Sequence, residues 1–469
     1  MIGNYVYVVI NKPIYYRETE PIVLPTIYSN GVMRKVQASE VYYFDFPDSS
    51  YVFTTIVAIN VQDAGEEPTT KTFLMGYSRN MYMSTGNMYI VYTKRMSEFE
   101  FYDRIIDKAI MPVVPLSIKS KINEIRTSEA GKAEKLQRIG EALQDYIESL
   151  NPEDAASVTK NVEERMREVY KEMAKETEKT IIHKISVSNG KIEYKMKGEV
   201  PGYVLNQFSM DEYKEHFRIA TTTGRWRDAS TNNVYVLDEG LRIVGKVEDL
   251  APGERIYSAR FIGDKGFMVT FRQVDPLFVI DLTEPTSPRV LGYLKIPGVS
   301  DYLHPYDESH IIGVGRDATE EGVMKGLKLS LFDISDVSNP KEISKYIIGE
   351  RGTDSYALRD HKAFLFSRSK KLLVIPVRLA EGGRWNAWQG AYAFSLDLDN
   401  GFVLKGRVTH SNKTEWYYSS QIKRSLYIDN ILYTISGRKI MMHDLDNLEA
   451  VNSIELPEEQ LYSVIHKNI

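Results

Sequence analysis

The sequence predicts an all-β protein, and three observations lead to that fold class. Residues 255–298 form a pattern of four short strands rich in Val, Ile, Phe, Leu and Tyr, separated by turns. Similar patterns recur along the chain, and one long stretch between two strands changes to helical periodicity. Because one such sheet cannot bury both of its faces, serial repetition predicts neighbouring sheets packed around an axis. The predicted architecture is a seven-bladed β-propeller of four-stranded blades with an inserted α-helical hairpin.

The repeat is best seen in the third strand of each unit, an apolar run that ends in a polar turn. This pattern occurs at residues 54–61, 180–187, 232–240, 276–283, 329–336, 391–401 and 439–447. Successive Asp residues at its end are 43, 52 and 47 residues apart in the pairs Asp238 to Asp281, Asp281 to Asp333 and Asp397 to Asp444. Such periods are typical of propeller blades. A plain β-sandwich is the alternative, but it gives no reason for seven similar units in series.

Residues 97–180 are predicted to be a helical insertion between the second and third strands of the second blade, with 1–96 and 181–469 forming the propeller. Two apolar stripes run from Leu136 to Leu150 and from Val158 to Met173. Asn151-Pro152 between them is a predicted N-cap followed by Pro at the first helical position.

These stripes predict two antiparallel helices joined by a tight turn. Charged pairs support the helices at the (i, i+4) spacing, namely Glu134 with Arg138 and Glu163 with Arg167. Two roles remain open for the hairpin. It is either a stabilising or oligomerising arm, or a lid over the channel mouth.

Composition excludes several classes of function. The chain has 469 residues, a formal net charge of -5 and a pI near 6.0, so no broad basic surface attracts nucleic acid or anionic membrane. It has no Cys, which excludes disulfides, thiolate metal sites and a Cys nucleophile. The absence of Cys, together with many charged residues, is compatible with a protein from a thermophile. No apolar run reaches the roughly 18 residues of a membrane span.

The start of the chain carries its own expectation. Residues 1–4 match 261–264 of the reference repeat, so the chain is expected to open within a first inner strand instead of a signal peptide. Either the ring closes without a shared strand or upstream residues of a longer protein are missing, and we favour the second.

Residues 205–224, 232–246, 254–288 and 300–317 carry a family resemblance, and a looser resemblance covers nearly the whole chain. These stretches resemble exported archaeal and bacterial proteins with a C-terminal β-propeller domain distantly related to WD repeats. The resemblance implies a propeller and an extracellular or cell-envelope location. It supplies no catalytic residues, because no reaction is assigned to that family.

Sequence motifs for cofactors and metals are weak or absent. Residues 313–318, GVGRDA, satisfy a dinucleotide pattern after a strand, but a loop and another strand follow where a helix is required. Residues 397–401, DLDNG, lack the spacing of a calcium loop and predict a turn between strands. No GxSxG, HExxH or Walker A motif occurs. We therefore expect no cofactor and no metal.

The candidate binding residues lie where inner strands of a propeller begin or where its loops meet the rim. Arg260 and His304 occupy equivalent positions in the repeat, and the other polar candidates lie near them in the same units: Arg272, Asp275, Asp301, Arg316 and Asp317. Trp385 and Trp388 form a candidate binding edge in a loop with glycine. The alternative is structural in each case, namely hydrogen bonds between blades for the polar residues and a packed loop anchor for the two Trp residues.

The sequence favours a non-catalytic binding or scaffold protein of the cell surface, with its ligand site at the channel mouth near the helical insertion. The ligand would be a protein, a peptide or a glycan, and the helical hairpin could mediate oligomerisation. The alternative is a hydrolase or lyase acting in the channel, which requires a metal or a His, Arg and Asp constellation within hydrogen-bonding reach.

Overall fold

The computed structural model describes residues 1–14, 21–29, 32–44, 51–78, 80–95, 98–224, 230–271, 275–411 and 418–457. Contacts between Cα atoms divide the chain into two compact units, Met1–Glu254 and Arg255–Ile469. The described residues form eight sheets, seven of four strands and one of two. The number of blades in a closed ring stays a prediction, as does the division into a propeller and an inserted helical domain.

The first unit contains three of the four-stranded sheets and the two-stranded one. Its strands are β1 (Tyr5–Pro13), β2 (Thr26–Ser29), β3 (Val32–Lys35), β4 (Val41–Tyr43), β5 (Tyr51–Asn60), β6 (Thr69–Gly76), β7 (Asn80–Met83), β8 (Asn87–Arg95), β9 (Glu178–Ser188), β10 (Lys191–Pro201), β11 (Met210–Tyr213), β12 (His216–Thr223), β13 (Thr231–Leu237) and β14 (Ile243–Leu250).

The first sheet departs from the predicted order of four consecutive strands. Its spatial order is β1-β5-β6-β4, and β4 pairs with β6 in parallel, starting at Val41 with Thr72. The reason is that β1 already occupies one edge of β5, with ladder partners from Tyr5 opposite Asn60 to Pro13 opposite Val52. The other two four-stranded sheets of this unit, β7 to β10 and β11 to β14, keep the sequential order.

The second unit contains four four-stranded sheets, each of four consecutive antiparallel strands. Its strands are β15 (Arg255–Ile262), β16 (Lys265–Phe271), β17 (Asp275–Asp281), β18 (Arg289–Ile296), β19 (Val299–Pro305), β20 (His310–Ala318), β21 (Met324–Asp333), β22 (Lys341–Ile348), β23 (Leu365–Ser367), β24 (Leu372–Glu381), β25 (Arg384–Asp397), β26 (Gly401–Val408), β27 (Arg424–Ile428), β28 (Ile431–Ile435), β29 (Lys439–Asp444) and β30 (Ala450–Glu455). The four strands predicted for the reference repeat are β15 to β18.

The sheets bury their faces against one another, as the repeat requires. Phe267 of β16 and Val279 of β17 share one buried cluster with Leu303 of β19 and Phe332 of β21, which belong to the next sheet. Each of these side chains is at most 1% exposed. A large part of the stability of this unit therefore comes from apolar area buried between adjacent sheets.

The α-helices of the described residues lie between β8 and β9, the second and third strands of their sheet. They are α1 (Glu98–Ile105), a π-helical turn (Ile106–Ile110), α2 (Leu116–Thr127), α3 (Lys132–Glu148) and α4 (Pro152–Thr177). The predicted cap of α4 is confirmed, because the Asn151 side chain accepts a hydrogen bond from the Asp154 N–H at 2.9 Å and Pro152 begins the helix. None of the described helices is long and apolar enough to cross a membrane.

The hairpin prediction found α3 and α4 but missed α1 and α2. These shorter helices complete the two hydrophobic clusters of the segment, one around Ile105 and Val169 and one around Ile122 and Ile139. Every residue of both clusters lies within 101–170. The helical segment therefore has its own core, which needs all four helices.

Candidate functional site

Three arginines surround one carboxylate in the second unit. Arg359 donates to Asp354 with Nη1 at 3.1 Å and Nη2 at 2.5 Å, and Arg316 Nη2 donates to it at 3.2 Å. Arg378 Nη2 lies 3.6 Å from the same carboxylate. Asp301 lies near these charges, and we call the five residues the Asp354 cluster.

Different elements bring the cluster together. Arg316 is near the end of β20 and Arg378 near the end of β24. Asp354 exchanges two backbone hydrogen bonds with Arg378, of 2.9 and 2.8 Å, although it lies outside a named strand. Arg359 follows the 3-10 turn Tyr356–Leu358, whose start is capped by the Ser355 hydroxyl accepting from the Ala357 N–H. This cap turns the chain so that Arg359 folds back onto Asp354.

Charge and burial shift the pKa of Asp354 in opposite directions. Burial disfavours its ionised form, but the hydrogen bond from Arg359 and the charges of Arg359, Arg316 and Arg378 outweigh burial and hold its pKa below the usual range. The Asp354 side chain is 16% exposed, whereas the Arg359 side chain is 56% exposed. The cluster thus keeps an ionised carboxylate while its arginines remain accessible to solvent.

Asp301 sits in the cluster because of a β-bulge. Ser300 pairs with Gly315 and Tyr302 with Val314, so Asp301 is the extra residue in β19 and its side chain is re-aimed. Burial raises its pKa to about 6, against the opposing charges of Arg316 and Arg359. Its Oδ2 is buried and accepts no hydrogen bond from the described part of the chain. Two nearby carboxyls therefore have pKa values pushed in opposite directions.

A cavity of about 240 Å³ opens beside the cluster. Arg359, Arg378 and Asp354 line it on one side, with the amides of Gln389 and Gln421. Its apolar lining comes from Pro376, Val377 and Ile422. A small concave site with a few convergent polar groups is the usual form of a ligand pocket.

The structure separates the predicted site residues. Asp301 and Arg316 belong to the Asp354 cluster, but Arg260 and His304 do not. The ladder confirms that the latter two are equivalent, since each lies three residues after the bulge residue of its strand, Tyr257 or Asp301.

His304 lies among aromatic side chains, away from the Asp354 cluster. Its Nδ1 lies 2.9 Å from the Tyr302 hydroxyl, and its ring centroid is 4.8 Å from that of Phe364 and 5.5 Å from that of Phe366. Burial, with the charge of Arg260, lowers its pKa to about 4. It is neutral at pH 7, and its hydrogen bond to Tyr302 stays within β19, so it contacts the neighbouring residues Phe364 and Phe366 through its ring and not through a hydrogen bond between blades.

The remaining predicted residues fall outside the cavity lining or outside the described part. Asp317 is a second bulge residue, is buried and pairs with Lys325 at 3.7 Å. The prediction of a loop at Trp388 is wrong, because residues 384–390 form the start of strand β25 and Trp388 pairs with Leu379 of β24. Trp388 packs edge-on against Tyr392, with the Arg407 guanidinium 5.4 Å from the Trp388 ring, so it is a packed residue of a strand. Arg272 lies outside the described residues, as do the side chains of Asp275 and Trp385.

The glycine pattern of residues 313–318 serves sheet packing. It lies within β20, and β21 follows it, so it has no helix to hold a pyrophosphate. A Cβ on Gly315 would be 1.6 Å from the Val299 carbonyl oxygen, and one on Gly313 would be 2.7 Å from Ser300 Oγ. The predicted turn at residues 397–401 is present, with Asp397 accepting from the Asn400 N–H at 2.8 Å.

Sequence reasoning missed Asp354, Arg359, Arg378 and Gln389. A signal for Arg378 exists, because a charged residue inside the apolar run LLVIPVRLA requires a partner when the strand is buried. Asp354 and Arg359 carry no comparable local signal, since an irregular connection brings them to the site. Within the described ranges, no group of three or more His, Asp or Glu side chains is placed to hold a metal ion.

Comparisons with known proteins show which family this chain belongs to. A family described as "Beta propeller domain" matches residues 1–448. The chain belongs to this β-propeller domain family. An uncharacterized protein of Methanocaldococcus jannaschii is 35% identical over 418 residues, which are 88% of this chain and 62% of the relative. One of Archaeoglobus fulgidus, also uncharacterized, is 33% identical over 457 residues, which are 97% of this chain and 67% of the relative.

The chain thus spans just under two thirds of the first of these archaeal relatives. Among solved structures, one described as the mitotic checkpoint complex matches 54% of this chain and 67% of its own, with 12% identity and a TM-score of 0.32. A likeness this low carries no argument about function. The predicted export and the relation to WD repeats stay predictions.

Proposed function

We propose that this β-propeller protein is a seven-bladed, non-catalytic binding or scaffold protein whose ligand site is the cavity beside the Asp354 cluster. The observation that carries the proposal is the placement of three guanidiniums around one carboxylate at a concave site. A guanidinium has five N–H donors, whereas a carboxylate offers about four acceptor positions. Arg359 and Arg378 also line the cavity, so their remaining donors are available to a ligand there.

Charge supports the same proposal. Three arginines against the carboxylates of Asp354 and Asp301 leave a net charge of about +1 when both acids are ionised, on a chain whose overall charge is -5. A locally positive cavity in an acidic protein attracts anionic groups and repels cationic ones. The ligand class is thus anionic.

A thermal-shift screen tests the proposal on the full chain. Acetate, glucuronate, inorganic phosphate and short acidic peptides are added to the wild type and to Arg378→Gln. We expect at least one anion to raise the Tm of the wild type and to have a smaller effect on the variant, because Arg378 lines the cavity. If no anion separates the two proteins, the cavity is not the ligand site.

A second candidate is a hydrolase or lyase acting at the same cavity. It is favoured by the opposite pKa shifts of Asp301 and Asp354, since paired carboxyls of this kind can divide the roles of acid and base. A screen of chromogenic esters, peptides and glycosides tests it. Turnover that is lost in Asp301→Asn would replace the binding proposal with this one.

The location and the helical segment belong to the same proposal. We propose extracellular or envelope location on the resemblance given above, and cell fractionation with an antibody to the chain tests it. For the helices, light scattering of a variant without them separates the two roles. Loss of a dimer supports an arm, whereas new cleavage sites elsewhere in a chain of unchanged oligomeric state, found by limited proteolysis, support a lid.

A further inference from the structure

The wall of the cavity holds a cation and a hydrogen-bond acceptor side by side. Arg378 of β24 and Gln389 of β25 are direct partners in the antiparallel ladder. Their side chains therefore share one face of the sheet, with Cβ atoms about 5 Å apart. The 3.6 Å separation between Arg378 and Asp354 is longer than a hydrogen bond, so the Arg378 fork is not committed to Asp354.

Gln389 has an unused acceptor at this position. The residue is 4% exposed, and its Nε2 donates to Ser411 Oγ. Its Oε1 is buried and receives no hydrogen bond from any described residue. Buried carbonyl oxygens normally have a donor, so an N–H or O–H group of a ligand would satisfy this one.

The remaining surface of the cavity limits the size and character of a ligand. Pro376, Val377 and Ile422 give it an apolar part. Its volume of about 240 Å³ is below the range of drug-sized sites, so it takes one small group at the end of a longer ligand. A small apolar group next to a charge satisfies both parts of the lining.

The arginines favour a carboxylate over a phosphate. Their planar forks match the two oxygens of a carboxylate. The net charge of about +1 is balanced by a monoanion, whereas a phosphate monoester brings close to two negative charges at pH 7. A carboxylate with an N–H donor and a small apolar group next to it describes the last residue of a polypeptide.

We propose that the cavity binds the C-terminal residue of a peptide or protein. The α-carboxylate lies on Arg359 and Arg378, the amide N–H of the same residue donates to Gln389 Oε1, and an apolar side chain contacts Pro376 and Ile422. Carboxylate and N–H are both joined to one Cα, so their spacing fits the adjacent Arg378 and Gln389. This inference rests on the proposed function and names its ligand; capture of a terminal carboxylate is a known mode of peptide recognition.

Calorimetric titration of the full chain with N-acetyl-Gly-Gly-Leu tests the inference. The same peptide with an amidated C-terminus lacks the negative charge, and an N-methylated last amide lacks the donor to Gln389. We expect the free acid to bind at least about 10-fold more tightly than the amide, a difference of about 1.4 kcal/mol. The N-methyl peptide should lose affinity by a factor of about 3 to 10.

Two variants locate the contacts. Arg378→Gln should reduce the preference for the free acid, and Gln389→Leu should remove the penalty for N-methylation; circular dichroism checks that each is folded. Because Gln389 is buried and Arg378 is partly exposed, the Arg378 variant keeps the test valid if the other does not fold.

Each outcome decides between the two proposals. Equal affinity for acid and amide overturns the C-terminal inference. Binding of glucuronate with no binding of the peptide also overturns it but upholds an anion-binding cavity. If neither ligand binds the wild type, both this inference and the proposed function fail.

Discussion

Replacing Asp354 with Asn removes the carboxylate that forms ion pairs with Arg316, Arg359 and Arg378 alike. Asn keeps the shape of the side chain and the backbone bonds to Arg378 but loses the charge. Arg316, Arg359 and Arg378 are then three like charges around a neutral amide. We expect the second unit to lose stability.

The magnitude follows from the contacts. Asp354 accepts three hydrogen bonds from guanidinium groups, and a bond to a charged group contributes about 1.5 to 3 kcal/mol when buried. The arginine side chains are 31 to 56% exposed, which reduces each contribution toward the 0.2 to 1 kcal/mol of exposed ion pairs. A total loss of about 2 to 3 kcal/mol is therefore expected. For a unit of this size it lowers the Tm by about 4 to 12 °C.

Scanning calorimetry of Asp354→Asn against the wild type measures the shift. Asp446→Asn is a matched control, because the Asp446 carboxylate is exposed and accepts a side-chain hydrogen bond from the neutral amide of Asn430. Sulfate should restore part of the lost stability of Asp354→Asn, since an anion can replace the carboxylate among the arginines. Equal Tm values for the two variants would refute the assignment of Asp354 as the centre of the cluster.

Three further predictions concern the fold and its charges. Gly315→Ala should destabilise the protein by about 3 kcal/mol or more, because its Cβ would clash with the Val299 carbonyl oxygen. Gly140→Ala in helix α3 has open space around its Cβ and should stabilise the protein by up to about 1 kcal/mol. Urea unfolding compares the two variants. Folding raises the pKa of Asp301 to about 6, so the stability that its protonated carboxyl contributes is present below pH 4 and is lost as the pH rises through 6. Calorimetry of Asp301→Asn and the wild type at both pH values should therefore show the stability of the variant relative to the wild type increasing by about 2 kcal/mol from pH 4 to pH 7. Residues 96–177 can be excised and replaced by an Asn-Gly turn, because Arg95 and Glu178 are ladder partners. The excision should remove the helical signal in circular dichroism and leave the β signal, since the helices have their own core. A wholly unfolded product would show that the helices belong to the sheet core.

The excision must remove all four helices. A shorter deletion of residues 119–179 follows from the two-helix prediction, but it cuts α2 and removes the first two residues of β9. It would also leave Ile105, Ile106 and Val114 without the residues that bury them. Periodicity found α3 and α4 because their stripes are long, whereas α1 and α2 offer too few turns for a pattern to stand out.

The sequence by itself determined the strands and their repetition. Alternating and continuous apolar runs indicate where the strands lie, and a constant order of four antiparallel strands follows from short turns such as that at residues 263–264. The equivalence of Arg260 and His304 is visible in the repeat, whereas the bulge that precedes each of them appears only in the strand pairing. The first sheet is the exception, because the pairing of β4 with β6 joins residues about 30 positions apart, at Val41 and Thr72.

Only the tertiary structure decided which polar residues meet. In the sequence, Arg260 and His304 are as plausible site residues as Asp301 and Arg316. In the structure they lie toward the carboxyl ends of β15 and β19, where aromatic side chains surround His304. Asp354 reaches Arg316 and Arg378 through an irregular connection, and no local propensity specifies its course. Strands follow from short-range periodicity, whereas the cluster is built from side chains of different sheets and depends on how those sheets pack.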